Sequence, residues 1–138
     1  MISNSFGNQL ADFVFGKVSL TPPSTYYIAI ATAALDRTKT GSTFTEANYG
    51  GYARVAFTNN KTNFGNASSD VNGTTVLNAT EIRFPTLASG TMTTNQLVVL
   101  DAANAGNIVG YGNIAVNKDY VAGDRPVFEV GTVQFKFL

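Results

Sequence analysis

Between residues 3 and 16 the apolar side chains recur at helical spacing. Phe6, Leu10, Phe13 and Val14 stand at i, i+4, i+7 and i+8, which gathers them on one face, while Gln9 and Asp12 fall on the other side. Ser3, Asn4 or Ser5 can cap the start and Gly16 is a natural stop, so a short amphipathic helix is predicted over 3–16. Its apolar face has two uses. It can be a lid packed on the domain's own core, the commoner arrangement, or a docking surface for another subunit centred on Phe6, Leu10 and Phe13.

The prolines of Thr21-Pro22-Pro23 force an extended link, and beyond them the pattern becomes strand-like. Residues 26–32 form an unbroken β-branched and aromatic run, the mark of a strand buried on both faces. Residues 33–48 are polar and Thr-rich, and read as a long exposed loop, longer than a connector needs. Gly50-Gly51 then opens a strand over 52–58. Alternation places Tyr52, Arg54, Ala56 and Thr58 on one face and Ala53, Val55 and Phe57 on the other.

Residues 59–78, dense in Asn, Ser, Gly and Thr, favour turns. Further strands are predicted at 81–84, 96–100, 107–116, 127–130 and 133–137. Turn signals separate them at Pro85, Ser89-Gly90, Ala105-Gly106-Asn107, Ala122-Gly123-Asp124 and Gly131. Short strands with this punctuation predict one all-β domain over 1–138, an antiparallel β-sandwich for which jelly-roll connections are one topology. The helix and an arm occupy 1–20 and the β core 21–138.

Composition narrows the chemistry. The 138 residues include nine Lys and Arg against nine Asp and Glu, and no His, Cys or Trp; 17 Thr, 14 Asn and 13 Gly carry much of the polarity. Without His there is no imidazole base, no Ser-His-Asp triad and no His-bound metal. Without Cys there is no thiolate nucleophile, disulfide or zinc–thiolate site. Zero net charge argues against nucleic acid as main partner. The apolar stretches fall short of a membrane span, and the start lacks the basic residues of a signal peptide. No cofactor and no catalytic residue are expected.

Weaker motifs read as structure. Gly110-Tyr111-Gly112-Asn113-Ile114-Ala115 fits a loose dinucleotide fingerprint, but β character continues where a helix must begin. A strand with close packing at glycine, or a bulge, is the expectation. Asp101, Asp119 and Asp124 read as turn formers, although a convergent carboxylate pair for glycoside hydrolysis is a reading that sequence leaves open. No Ser-x-x-Lys occurs, and the sequons at Asn60, Asn66, Asn72 and Asn78 are by-products of polar loops. Tyr26, Tyr27, Tyr49, Tyr52, Tyr111 and Tyr120 could stack on sugars, with core packing their commoner use.

The order of several blocks resembles a family of small tailed-bacteriophage virion proteins. The opening runs from Phe6-Gly7-Asn8-Gln9-Leu10-Ala11-Asp12-Phe13 to Thr21-Pro22-Pro23 and Tyr26-Tyr27-Ile28. Gly50-Gly51-Tyr52-Ala53-Arg54-Val55, Phe84-Pro85-Thr86 and Leu100-Asp101-Ala102-Ala103 follow, then Asn107-Ile108-Val109-Gly110-Tyr111-Gly112, Val121-Ala122-Gly123-Asp124 and Phe128-Glu129-Val130-Gly131. Thr91-Met92 departs from the Trp-Gly pair common in relatives. Members are capsid decoration (cement) or capsid-fibre proteins, often labelled tail-fibre-like, and the resemblance implies a virion structural role without catalytic residues.

Neither heptads nor triple-helical repeats supply a shaft, so the expectation is a capsid decoration protein. It would be a homotrimer, bound to the major capsid protein on the outer shell and assembled in the bacterial cytoplasm. A tail-fibre or baseplate module that reads host glycans through 33–48 and 59–78 is the alternative. The interface is placed at Phe6, Leu10 and Phe13 and in the 33–48 loop.

Overall fold

The computed structural model describes residues 1–114 and 117–137. Helix α1 (Asn4–Val14) precedes β1 (Thr25–Ala31), β2 (Val55–Thr58), β3 (Ser68–Asp70), β4 (Gly73–Leu77) and β5 (Ile82–Arg83). Then come β6 (Thr91–Thr93), β7 (Gln96–Leu100), β8 (Ile108–Ile114), β9 (Asp119–Val121), β10 (Val127–Phe128) and β11 (Val133–Lys136). Seven strands form one sheet in the order β2-β1-β7-β8-β11-β4-β3, while β5 pairs β10 and β6 pairs β9 as separate ribbons. Every strand pairing is antiparallel. The strands divide seven, two and two, whereas a jelly roll spreads eight over two Greek keys.

At β1 and β7 both faces of the large sheet are covered, which is why β1 tolerates an unbroken apolar run. Ile28 and Ile30 point to the main core with Leu97, Val99, Val133 and Phe135, against Ile82, Phe84, Phe128, Met92 and Tyr120 on and beside the two ribbons. This is the β-sandwich expected from the strand spacing. Met92 fills the core at the position where the family pattern has Trp-Gly. Ala29 and Ala31 point the other way, to a second core with Val98, Leu100, Ile108, Tyr111 and Phe44.

Phe44 changes the reading of residues 33–48. The loop is not simply exposed: Phe44 is buried and Leu35 half-buried against the second core, so the segment covers the sheet's second face, while Ala47 at its end is buried in the main core. Its apolar residues are few and without strand or helix period, and composition hid them.

Two further differences have local causes. Strand β2 begins only at Val55; Phe57 is buried and Ala56 and Thr58 exposed, as alternation requires, but Ala53 is exposed, and Tyr52 and Arg54 turn inward. Residues 59–78, read as turns, contain the β3–β4 hairpin. Its register pairs Asp70 with Gly73, leaving Val71-Asn72 as the turn, and Gly73 adopts φ +118°. The edge strand β3 is Ser-Ser-Asp and β4 beside it opens Gly-Thr-Thr, so neither shows an apolar alternation.

The glycine motif is structural. A Cβ on Gly112 would lie 2.1 Å from the Gln134 carbonyl oxygen, and one on Gly110 3.0 Å from that of Met1. Val99 faces Gly110 while Leu100 faces Ile108, which leaves Val109 as a bulge. The predicted end of this strand, Ala115-Val116, lies outside the described residues.

Candidate assembly surface

The first three residues root the helix. Ile2 bridges Gly110, the Ser3 amide donates to the Val109 carbonyl at 3.2 Å, and the Tyr111 amide donates to that of Met1 at 2.8 Å. Arg37 adds a bond from Nε to the Ile2 carbonyl at 3.2 Å, and the Asn4 amide donates to the Arg37 carbonyl at 2.8 Å. Ser3 is the N-cap: its buried hydroxyl donates to the Ile108 carbonyl and accepts from the Phe6 amide. The far end closes as a Schellman motif, with Lys17 donating to the Asp12 carbonyl at 2.8 Å and Gly16 to that of Phe13 at 3.1 Å. Gly16 takes the left-handed φ of +74° this requires.

Between these ends no residue of α1 is buried, so the helix is not a lid over the core. Of the residues singled out from the sequence, Phe6 and Leu10 are half-buried near the root and Phe13 is 48% exposed. The apolar character continues past them: Val14 is 64%, Phe15 79% and Val18 51% exposed. Phe15 and Val18 lay outside the helical periodicity, and only their place beside the Gly16 stop could have marked them.

Next to the helix root is a groove of about 350 Å³, lined by Phe6, Tyr26, Phe64, Val76, Val109 and Phe135 among others. It lies over the part of the large sheet that the ribbons leave open. Lys136 is its charged lining residue among those described.

A second centre ties several loops together. Arg54 Nε donates to Glu46 Oε1 at 2.8 Å and Nη2 to Oε2 at 2.9 Å, a bidentate pair with the arginine side chain only 5% exposed. The remaining donors reach the carbonyls of Ala102, Ala105 and Gly41, and the guanidinium stands 5.9 Å from the Phe44 ring centre. Tyr52 Oη donates to Glu46 at 2.8 Å and accepts from the Ile30 amide. Burial, and then the Glu46 charge, push the Tyr52 hydroxyl far above the ordinary phenol range. Arg54 is held more firmly protonated by its bonds to Glu46. Alternation had placed Tyr52 and Arg54 on one face with Ala56 and Thr58, which are exposed; the signal for them was the Gly50–Val55 block of the family pattern.

The model of a family described as Podophage GP4 fiber I protein gp80 matches residues 1–136. The chain belongs to that family. No curated protein matches it. Membership makes it a component of a tailed-phage virion, as the block order suggested.

In this fibre-family protein most of the aspartates are engaged one by one. Asp36 accepts from the Thr38 amide, Asp70 from that of Asn72, Asp101 from that of Asn107 and Asp124 from that of Val121. Asp101 and Asp124 are thus turn formers as expected. Asp119 is not: it accepts from the Thr93 hydroxyl at 2.5 Å across the β6–β9 ribbon. Among the described residues no cluster of three potential metal ligands occurs, and no helix is long and apolar enough to cross a membrane. Tyr49, Tyr111 and Tyr120 are buried and the other three tyrosines half-buried, in keeping with packing.

Proposed function

We propose that this protein is a structural subunit of a phage fibre, that its work is assembly rather than catalysis, and that the C-terminal end of α1 attaches it to another virion protein. One observation carries the reading: Phe13, Val14, Phe15 and Val18 are exposed at and just past the C-terminal end of a helix whose two ends are fixed by caps. An isolated apolar side chain on a surface needs no explanation, but four large ones within residues 13–18 point to an interaction site. Caps at both ends pre-form the surface, so little ordering entropy is lost on docking.

Capsid decoration is the second reading, with the same helix end on the major capsid protein at the outer shell of particles assembled in the host cytoplasm. The short strands and the eleven-residue helix favour it, because nothing in them forms a shaft. Under a receptor-binding reading, host glycans would meet the exposed β3–β4 hairpin and the polar tip of the 33–48 loop.

Cryo-EM of the parent virion tests these readings together. The helix end is expected to be buried against another virion protein, at the tail or neck for a fibre and at capsomer junctions for a decoration protein. A map in which Phe13 and Phe15 face solvent overturns the attachment role.

A further inference from the structure

We infer that Asn72 is a site of spontaneous deamidation, and that its conversion releases the edge strand β3 from the large sheet. Of the 14 asparagines in the chain, Asn72 alone is followed by glycine. It sits in the turn of the β3–β4 hairpin, where Val71 is 100% exposed and Asn72 is exposed beside it. Its backbone amide is held by Asp70, but its side-chain amide has no partner among the described residues. The side chains of Asn59, Asn63, Asn78 and Asn107, by contrast, each donate to a carbonyl or a carboxylate.

Every reacting group but water comes from the turn itself. The Gly73 amide nitrogen attacks the Asn72 side-chain carbonyl carbon, and the new C–N bond closes a cyclic imide. The side-chain nitrogen leaves as ammonia, taking with it the proton from the Gly73 nitrogen. Water then opens the ring at either carbonyl, its hydroxyl going to the carbon and its remaining hydrogen to the nitrogen. Opening one way gives aspartate. Opening the other way gives isoaspartate, in which the main chain runs through the former side chain. A bulky residue after the asparagine would obstruct the attacking nitrogen; Gly73 carries no side chain and holds a φ of +118° that only glycine takes freely.

Both products put a carboxylate, ionised at neutral pH, two residues from Asp70, whose own carboxylate accepts from the Asn72 amide at 2.7 Å. Like charge there loosens the turn. Isoaspartate does more, because it lengthens the main chain. The pairs Ser68–Thr75, Ser69–Thr74 and Asp70–Gly73 are set by a two-residue turn, and a longer connection does not preserve that register. Strand β3 ends the sheet with β4 as its one neighbour, and its three residues are all exposed. Strand β4 is held on its other side by β11, through Thr75, Val76 and Leu77, so the damage stops at β3. The edge this uncovers is Gly-Thr-Thr-Val-Leu, without the charge that Asp70 places on the present one, and such open edges pair with other chains.

Ageing the full chain for weeks in warm, mildly alkaline buffer tests this. Peptide mass spectrometry is expected to show an amide nitrogen exchanged for oxygen at Asn72 before any other asparagine, with isoaspartate among the products. Hydrogen exchange on the same sample should show protection lost in 68–70 and kept in 133–136. Asn72→Gln, whose longer side chain closes the ring far more slowly, should keep both its mass and its protected hairpin over that time. An Asn72 that stays intact, or converts no sooner than the other asparagines, overturns the inference. So does a converted chain whose 68–70 segment is as protected as in fresh protein, or an aged Asn72→Gln variant that loses that protection.

Discussion

All of Arg54's reach is spent on its neighbours: two bonds to Glu46 and three to backbone carbonyls of two different loops. Replacing it with Leu would strand a partly buried carboxylate and remove the donor from those carbonyls. The expected loss is about 3 kcal/mol in urea denaturation, and Arg54→Lys should recover less than half, since an ammonium cannot fork across a carboxylate. A loss below about 1 kcal/mol would mean the pair behaves as a surface one. Glycines give a second contrast at this scale. Gly112→Ala drives a methyl group into the Gln134 carbonyl and should abolish cooperative folding. Gly123→Ala meets nothing within 4 Å and should lose only the cost of its φ of +93°, about 1–2 kcal/mol, by thermal melting.

For single elements, the 33–48 loop and the helix make opposite predictions. If the loop is a cover, Phe44→Ala should destabilise by about 3 kcal/mol, whereas an exposed loop would give a change near zero in the same denaturation experiment. Ser3→Ala removes both the cap and the bond to Ile108, and should cost about 1–2 kcal/mol with a measurable fall in helical circular dichroism. Legibility in the sequence followed the same division. Strands β1, β7, β8 and β11 and the ends of α1 could be read because burial on a face imposes a period and caps impose residue types. The β3–β4 hairpin and β6 could not, since Ser-Ser-Asp and Thr-Met-Thr look like turns until a neighbour supplies the hydrogen bonds. Phe15 escaped because an apolar residue that packs on nothing obeys no period.

Across the whole molecule, sequence spacing pointed to a sandwich but not to its strand order. Non-local pairing decides that order: β11 inserts between β8 and β4, and the arm at Ile2 lies along β8, more than a hundred residues away. Alternation says which way a side chain faces and nothing about which strand lies beside it. Of the candidate surface the helical period marked Phe13, while Phe6 and Leu10, read with it, are half-buried nearer the root. The groove was not legible, because its lining comes from α1, β1, β4, β7, β8 and β11 together with Phe64.

That wiring sets a timetable for synthesis. A ribosome delivers the helix first, but its root has nothing to lie on until β8 has emerged, and β8 lacks one neighbour until β11 follows. Chains stalled before residue 133 should be digested throughout by protease, whereas full-length chains should resist it; protection of the helix in the stalled chain would contradict this. A half-made copy would therefore carry neither a rooted helix nor a finished groove, and only complete chains would be fit for building into a particle.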